Sequence, residues 1–164
     1  MTGRSDGPCG PPPTALLTLP QFETGWDRQE KGTSHRHRSD QTGAVLLIDA
    51  ANVVGSRPTG WWRDRSGAAR TFVEQVSAAL RSGRLTEPVV VVLEGKARDG
   101  VEAGLVDGVT VLHAARSGDD MLIDLTSDAS DQVTLVTADR ELRRRAEALG
   151  AEVVGPSWLI QRLE

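Results

Sequence analysis

A three-layer α/β domain, with a mostly parallel sheet of about five strands and helices on both faces, is the fold class this sequence predicts. Three observations carry it. Unbroken apolar runs recur along the chain, as in strands buried on both faces of a parallel sheet. Segments with apolar residues at helix spacing separate these runs. Several runs end at or just before an acid, and in a parallel sheet the residues past the C-terminal strand ends share one rim, where such folds place their sites.

The elements follow in order. Residues 1–43 read as an unstructured tail and residues 44–164 as the domain. The tail holds Pro8, Pro11-Pro12-Pro13 and the polar, basic stretch around His35 and His37, with one short apolar run at 15–19. Such a composition buries too little apolar surface to offset the entropy of ordering it. The first strand is Ala44-Val45-Leu46-Leu47-Ile48, closed by Asp49. A helix carries Phe72, Val73, Val76, Ala79 and Leu80 at helical spacing. The second strand, Pro88-Val89-Val90-Val91-Val92-Leu93, ends in Glu94, and Val109-Thr110-Val111-Leu112 is the third. A helix with Met121, Leu122 and Leu125 follows, and then Val133-Thr134-Leu135-Val136-Thr137 leads to Asp139. The next helix presents Leu142, Ala146 and Leu149 and is closed by Gly150, a suitable left-handed cap. Glu152-Val153-Val154 is a weaker fifth strand, and Pro156 begins a terminal helix with Trp158, Leu159 and Leu163. No internal repeat is visible.

Composition narrows the function. The 164 residues and 38% hydrophobic content suffice for one core and therefore one active site. No stretch approaches the roughly 18 to 20 apolar residues of a membrane span, and the start lacks a secretory pattern, so the expectation is a cytoplasmic protein without membrane contact. The single cysteine, Cys9, excludes an intramolecular disulfide and a cysteine-rich metal site. A net charge of −4 argues against a surface built throughout for nucleic acid but leaves room for a local arginine patch. After Asp49 comes Ala50-Ala51-Asn52-Val53-Val54-Gly55, which contains no phosphate-cradling glycine loop.

The acids define the candidate chemistry. Asp49, Glu94 and Asp139 occupy the rim, and Asp119, Asp120 and Asp124 enter from the helix after the third strand. Asp120 and Asp124 lie one helical turn apart, so the expectation is that both aim at the cavity while Asp119 points elsewhere. Clustered carboxylates repel, and a divalent cation compensates them. Oxygen donors without neighbouring cysteine or histidine favour Mg²⁺ or Mn²⁺ over zinc, and such ions support in-line displacement at phosphorus. The competing account is helix capping: Asp119 caps one helix, Asp120 sits in its first turn and Asp139 caps the next, as acids do in any protein. It explains Asp49 less easily.

These residues resemble NYN domains, members of the PIN-like nuclease superfamily, over roughly residues 44 to 155. The family's Asp-x-x-Asn after the opening strand reads Asp49-Ala50-Ala51-Asn52. Its middle acidic element is similar to Asp120-Met121-Leu122-Ile123-Asp124, with Asp119 before it, and its Ser/Thr-x-Asp-x-x-Leu element is similar to Thr137-Ala138-Asp139-Arg140-Glu141-Leu142. The resemblance implies a hydrolytic ribonuclease dependent on Mg²⁺ or Mn²⁺. It implies Asp49, Asp120 and Asp139 as metal ligands and catalytic residues, Asn52 and Thr137 in support, and Asp119 or Asp124 completing the set; Glu94, by its place on the rim, is expected to stand behind them. The stretch 57–65 departs from the family pattern.

RNA is the expected partner, single-stranded or structured. In that departing stretch Trp61 and Trp62 are placed to stack on bases and Arg57, Arg63 and Arg65 to neutralise phosphates, with Arg140 adding a further cation after Asp139. The plainer account has one tryptophan plugging the edge of the core and Arg63, Asp64 and Arg65 forming surface pairs. His113 reads as structural rather than as a general base. A homodimer would form around Trp158 or Trp61. Two other functions use the same residues: pyrophosphohydrolysis of a free nucleoside triphosphate, and a non-catalytic RNA-binding or interaction module. A receiver domain is disfavoured because no lysine follows the fifth strand.

Overall fold

The structure is a computed structural model and describes residues 44–164. The expectations for the tail, its histidine pair, its apolar run and Cys9 lie outside the described residues.

The chain folds as β1 (Ala44–Asp49), α1 (Ala50–Gly55), α2 (Arg65–Arg81), β2 (Val89–Leu93), β3 (Gly104–Val106), β4 (Val109–His113), α3 (Gly118–Asp128), β5 (Gln132–Val136), α4 (Arg140–Ala148), β6 (Glu152–Val154) and α5 (Pro156–Leu163). Two 3₁₀ turns, Trp61–Arg63 and Gly95–Gly100, complete it. The strands form one sheet in the order β3-β4-β2-β1-β5-β6, parallel throughout except for the antiparallel pair β3 and β4.

Alternation along the central strands builds two cores. Leu46 and Ile48 of β1 and Val89, Val91 and Leu93 of β2 pack against Val53 of α1, Phe72 and Val76 of α2 and Leu159 of α5. Leu47, Val90 and Val92 point the other way, onto Leu122 of α3 and Leu142 and Ala146 of α4. A strand buried on both faces has no polar position to spare, which is why β1 and β2 read as continuous apolar runs. The expected three layers with helices on both faces are therefore observed.

The sheet has six strands where about five were expected. The addition is β3, an edge strand whose Gly104 and Leu105 are exposed, so it lacks the apolar run that marked the others. It joins β4 through Asp107-Gly108, both with positive φ, at 46° and 87°. Such a pair makes the tight turn whose twist matches a two-stranded hairpin. Helix α1 is also new: six residues are too few for apolar spacing to reveal. Gly150 has a φ of 89° past the end of α4, as its capping role requires. No helix among the described residues is long and apolar enough to cross a membrane.

Candidate active site

The strand order reverses at β1: the chain moves outward from β1 through β2 to β4, then returns to place β5 on the other side of β1. Helix α1 leaves β1 toward one face of the sheet and α4 leaves β5 toward the other. The crevice between them at the C-terminal strand ends is where open α/β sheets bind ligands. Asp49, Thr137 and Asp139 lie there.

Asp49 is 5% exposed and Thr137 is 0% exposed. Asp49 Oδ1 accepts the backbone N–H of Asn52 at 3.1 Å, capping α1. Its Oδ2 accepts the Asn52 side-chain amide at 2.6 Å and the Thr137 hydroxyl at 2.9 Å. Thr137 Oγ1 in turn accepts the backbone N–H of Asp139 at 3.1 Å, which commits its own proton to Asp49. One hydroxyl thus ties the acids that end neighbouring strands. Burial lifts the Asp49 carboxyl above its usual range; the Asn52 N–H, the Thr137 hydroxyl and the Asn52 amide offset part of this, and the charge of Glu94 adds to it.

The other rim acids are also held by backbone donors. Asp139 Oδ1 accepts from Leu142 N at 2.7 Å and caps α4. Glu94 Oε2 accepts from Gly118 N at 2.8 Å, so the acid after β2 receives the first N–H of α3. A Cβ on Gly118 would stand 3.0 Å from that oxygen, so a larger residue there would push the Glu94 carboxylate back by a few tenths of an ångström. Capping and a shared site are therefore compatible: the same oxygens that end the helices fix where the carboxylates stand.

Helix α3 differs from expectation. Asp119, not Asp120 or Asp124, faces the rim acids: its carboxyl is pushed up first by burial, then by the charges of Asp49, Asp139 and Glu94, with Arg145 opposing. Asp120 is exposed and bonds Arg145 Nη2 at 3.1 Å, and Asp124 is exposed. The reason is helix phase. Gly118, Leu122 and Thr126 are the buried face of α3, and at 100° per residue Asp119 lies roughly 60° from its centre while Asp120 and Asp124 lie roughly 160° away. Asp119 is not the cap either. Ser117 is, accepting from Asp120 N at 3.3 Å. The signal was present in the sequence, since Ser117-Gly118-Asp119-Asp120 has the spacing of a capping box.

Four carboxylates in one electrostatic neighbourhood suit a hard divalent cation in donor chemistry. As they stand, no three acids, histidines or cysteines among the described residues are close enough to ligate one ion together. Mg²⁺ asks for less, being held through one or two carboxylates with waters and substrate phosphates completing its shell. Asp49, Asp119 and Asp139 are therefore fit to offer such an ion one or two ligands, with water completing its shell.

The candidate substrate residues divide. Trp62 is 57% exposed, while Trp61 is half-buried, its ring against Gly55 and edge-on to Trp62 at 6.4 Å. Arg65 lies over the Trp61 ring at 5.4 Å, and Arg63 and Arg140 are exposed. Arg57 differs from expectation: its Nη1 bonds Gln75 Oε1 of α2 at 2.9 Å and its Nε is buried, so it braces the loop. Asp64 caps α2 through Gly67 N at 2.8 Å instead of pairing with its arginine neighbours. His113 Nε2 donates to the Val101 carbonyl at 2.8 Å, a structural role. Trp158 packs on the core with Arg162 stacked over it at 3.7 Å. An open groove of about 380 Å³ runs beside the crevice, lined by Ala51, Asn52, Gly55, Ser56 and Ala138.

No family model matches the chain, and no curated protein matches it. Among solved structures it is similar to Rae1 (YacP) from Bacillus subtilis, with a TM-score of 0.59 and 16% identity over 73% of this chain and 72% of that one. A tryptophan-to-leucine mutant of Rae1 gives a TM-score of 0.51 at 18% identity, covering 73% and 74%. At these identities the likeness is one of fold, the three-layer α/β arrangement described above.

Proposed function

We propose that this domain is a metal-dependent ribonuclease that hydrolyses RNA phosphodiester bonds at the crevice between β1 and β5. The observation that carries the reading is the Asp49–Thr137–Asp139 network at the switch point, with Asp119 and Glu94 turned toward it. The motif resemblance to NYN domains and the fold shared with Rae1 agree with it.

One or two of Asp49, Asp119 and Asp139 would ligate Mg²⁺ or Mn²⁺ directly, with waters completing its shell and the remaining carboxylate charge adding to the attraction. When bound, such an ion makes a water nucleophilic near neutral pH and neutralises phosphoryl oxygens. Asn52 and Thr137 fix both oxygens of Asp49, so that acid is oriented before substrate arrives. Glu94 positions α3 through Gly118, and with it Asp119. Arg140, exposed at the first position of α4, opposes the helix dipole there, so a substrate phosphate is a better partner for it than its own helix. Trp62 and Arg63 offer stacking and charge to a strand leaving the site. Attack by water on phosphorus, with departure of the 3′ oxygen, leaves a 5′-phosphate.

An open groove favours a polymer over a free nucleoside triphosphate, which would call for a closed pocket above the acids. The test uses purified protein with Mn²⁺ and end-labelled single-stranded and structured RNAs, alongside a nucleoside triphosphate panel scored for pyrophosphate. The expected result is RNA cleavage lost in Asp139→Asn, with no pyrophosphate released. Intact RNA with protein shown to be folded would end this reading, and pyrophosphate release would replace it with the nucleotide one. RNA binding that survives both Asp49→Asn and Asp139→Asn without any cleavage would identify a non-catalytic module.

A further inference from the structure

Charge is spread unevenly over the domain. The end where the parallel strands begin carries exposed Asp107, Asp128 and Asp131, and Arg81 there is paired with Asp107. The end where they finish carries cations around the central acids. Arg63 and Arg140 are two of these, and two more have no part in the proposed chemistry: Lys96, in the turn Gly95–Gly100 after β2, and Arg116, between β4 and α3. Both are exposed, and among the described residues neither pairs with an acid, although Asp99 and Glu102 lie close to Lys96 in sequence. Arg98 joins the two stretches into one surface. Its Nε donates to the Gly95 carbonyl at 3.1 Å and its Nη1 to the Ala114 carbonyl at 3.3 Å, bridging the turn and the loop. Glu94, just before the turn, accepts from Gly118 N just after the loop, so this surface adjoins the acid cluster.

We infer that Lys96 and Arg116 form a second contact for the RNA backbone, so that the strand crosses the rim with the acids lying between these two cations and Arg140. The inference rests on the ribonuclease reading and adds the path of its substrate. Sheet order gives the path its length: β4 and β5 are separated by three neighbour steps, about 14 Å at about 4.8 Å per step. An extended strand covers that distance in a few nucleotides. Electrostatics supplies the need. Asp49, Glu94, Asp119 and Asp139 repel every phosphate that approaches, and a bound divalent ion offsets this only close to where it sits, so the flanking phosphates require cations of their own. Lys96 and Arg116 are suited to that task because a phosphate meeting them breaks no ion pair of the domain and displaces only water and counterions.

The test measures binding of a fluorescein-labelled single-stranded RNA to the full chain by anisotropy, over a series of KCl concentrations and without divalent metal, so that the RNA stays intact. Lys96→Gln and Arg116→Gln should each weaken binding about three- to ten-fold at low salt, and each should flatten the slope of log affinity against log KCl concentration by about 0.7. Lys96→Arg and Arg116→Lys should bind like wild type. Arg84→Gln removes an exposed cation between α2 and β2, at the opposite end of the domain, and should change nothing. Wild-type affinity and slope in both glutamine variants, an equal loss in Arg84→Gln, or no RNA binding by the wild-type chain overturns the inference. The hydrolytic reading fails separately. RNA held through Lys96 and Arg116 but never cut with Mn²⁺ upholds the contact and ends that reading, whereas RNA cut with Mn²⁺ at an unchanged KM in both glutamine variants removes the contact alone.

Discussion

Thr137 joins two strand ends through one oxygen, and its replacement shows how much that atom carries. Thr137→Val keeps the shape, removes the donor to Asp49 and leaves the Asp139 N–H without its acceptor. The expected loss is about 1–3 kcal/mol in urea denaturation, with Thr137→Ser losing less, since a buried unmatched donor costs more than an ordinary hydrogen bond gains. Asp119 acts in the opposite direction. Its carboxyl titrates above the usual 3.8, mainly from burial and then from the charges of Asp49, Asp139 and Glu94. The folded chain therefore binds that proton more tightly than the unfolded one, so the group's contribution to stability declines as pH rises from about 3.8 through the raised value. Asp119→Asn removes the decline. Without metal, the variant should match wild type near pH 3 and exceed it at pH 7 by less than about 1 kcal/mol, the side chain being partly exposed and screened. Denaturation curves at the two pH values check both the sign and the window.

At the scale of elements, what the sequence revealed and what it concealed have identifiable causes. Strands β1, β2, β4, β5 and β6 were legible because burial on two faces leaves apolar runs or their remnants. Edge strand β3 has no such requirement, and its signal was the turn Asp107-Gly108 instead. Gly108→Ala should cost about 1 kcal/mol from its positive φ alone, because a Cβ there meets only an ordinary contact with Leu80. Thermal denaturation of that variant measures it. Helix α3 was found but mis-phased. The spacing of Asp120 and Asp124 does not by itself fix which side of the helix faces the sheet; Gly118, Leu122 and Thr126 fix it. Ser117→Ala should cost about 1 kcal/mol as a lost cap, and it should leave Asp119 on the rim because packing, not the cap, sets the phase. A denaturation curve gives the first quantity, and the Asp119 side-chain titration followed by NMR the second.

For the whole molecule, one topological fact organises the site. Placing β5 beside β1 after the chain has gone out to β4 opens a crevice between helices that leave on opposite faces, and the acids of both strands fall into it. Sequence reading reached the rim because parallel strands end together. It could not tell that Arg57 would brace α2 through Gln75, since that contact spans the loop and a helix whose relative placement only packing decides. A cation bound at the crevice stabilises the fold by mass action, so Mn²⁺ should raise the melting temperature of wild type and of Asp120→Asn but not of Asp119→Asn. Calorimetric titration of Mn²⁺ into wild type, Asp49→Asn, Asp119→Asn and Asp120→Asn tests the central claim most directly. The account predicts saturable binding in wild type and Asp120→Asn, and its loss in the other two. Absence of specific binding in wild type, or binding that depends on Asp120 and not on Asp119, would contradict it.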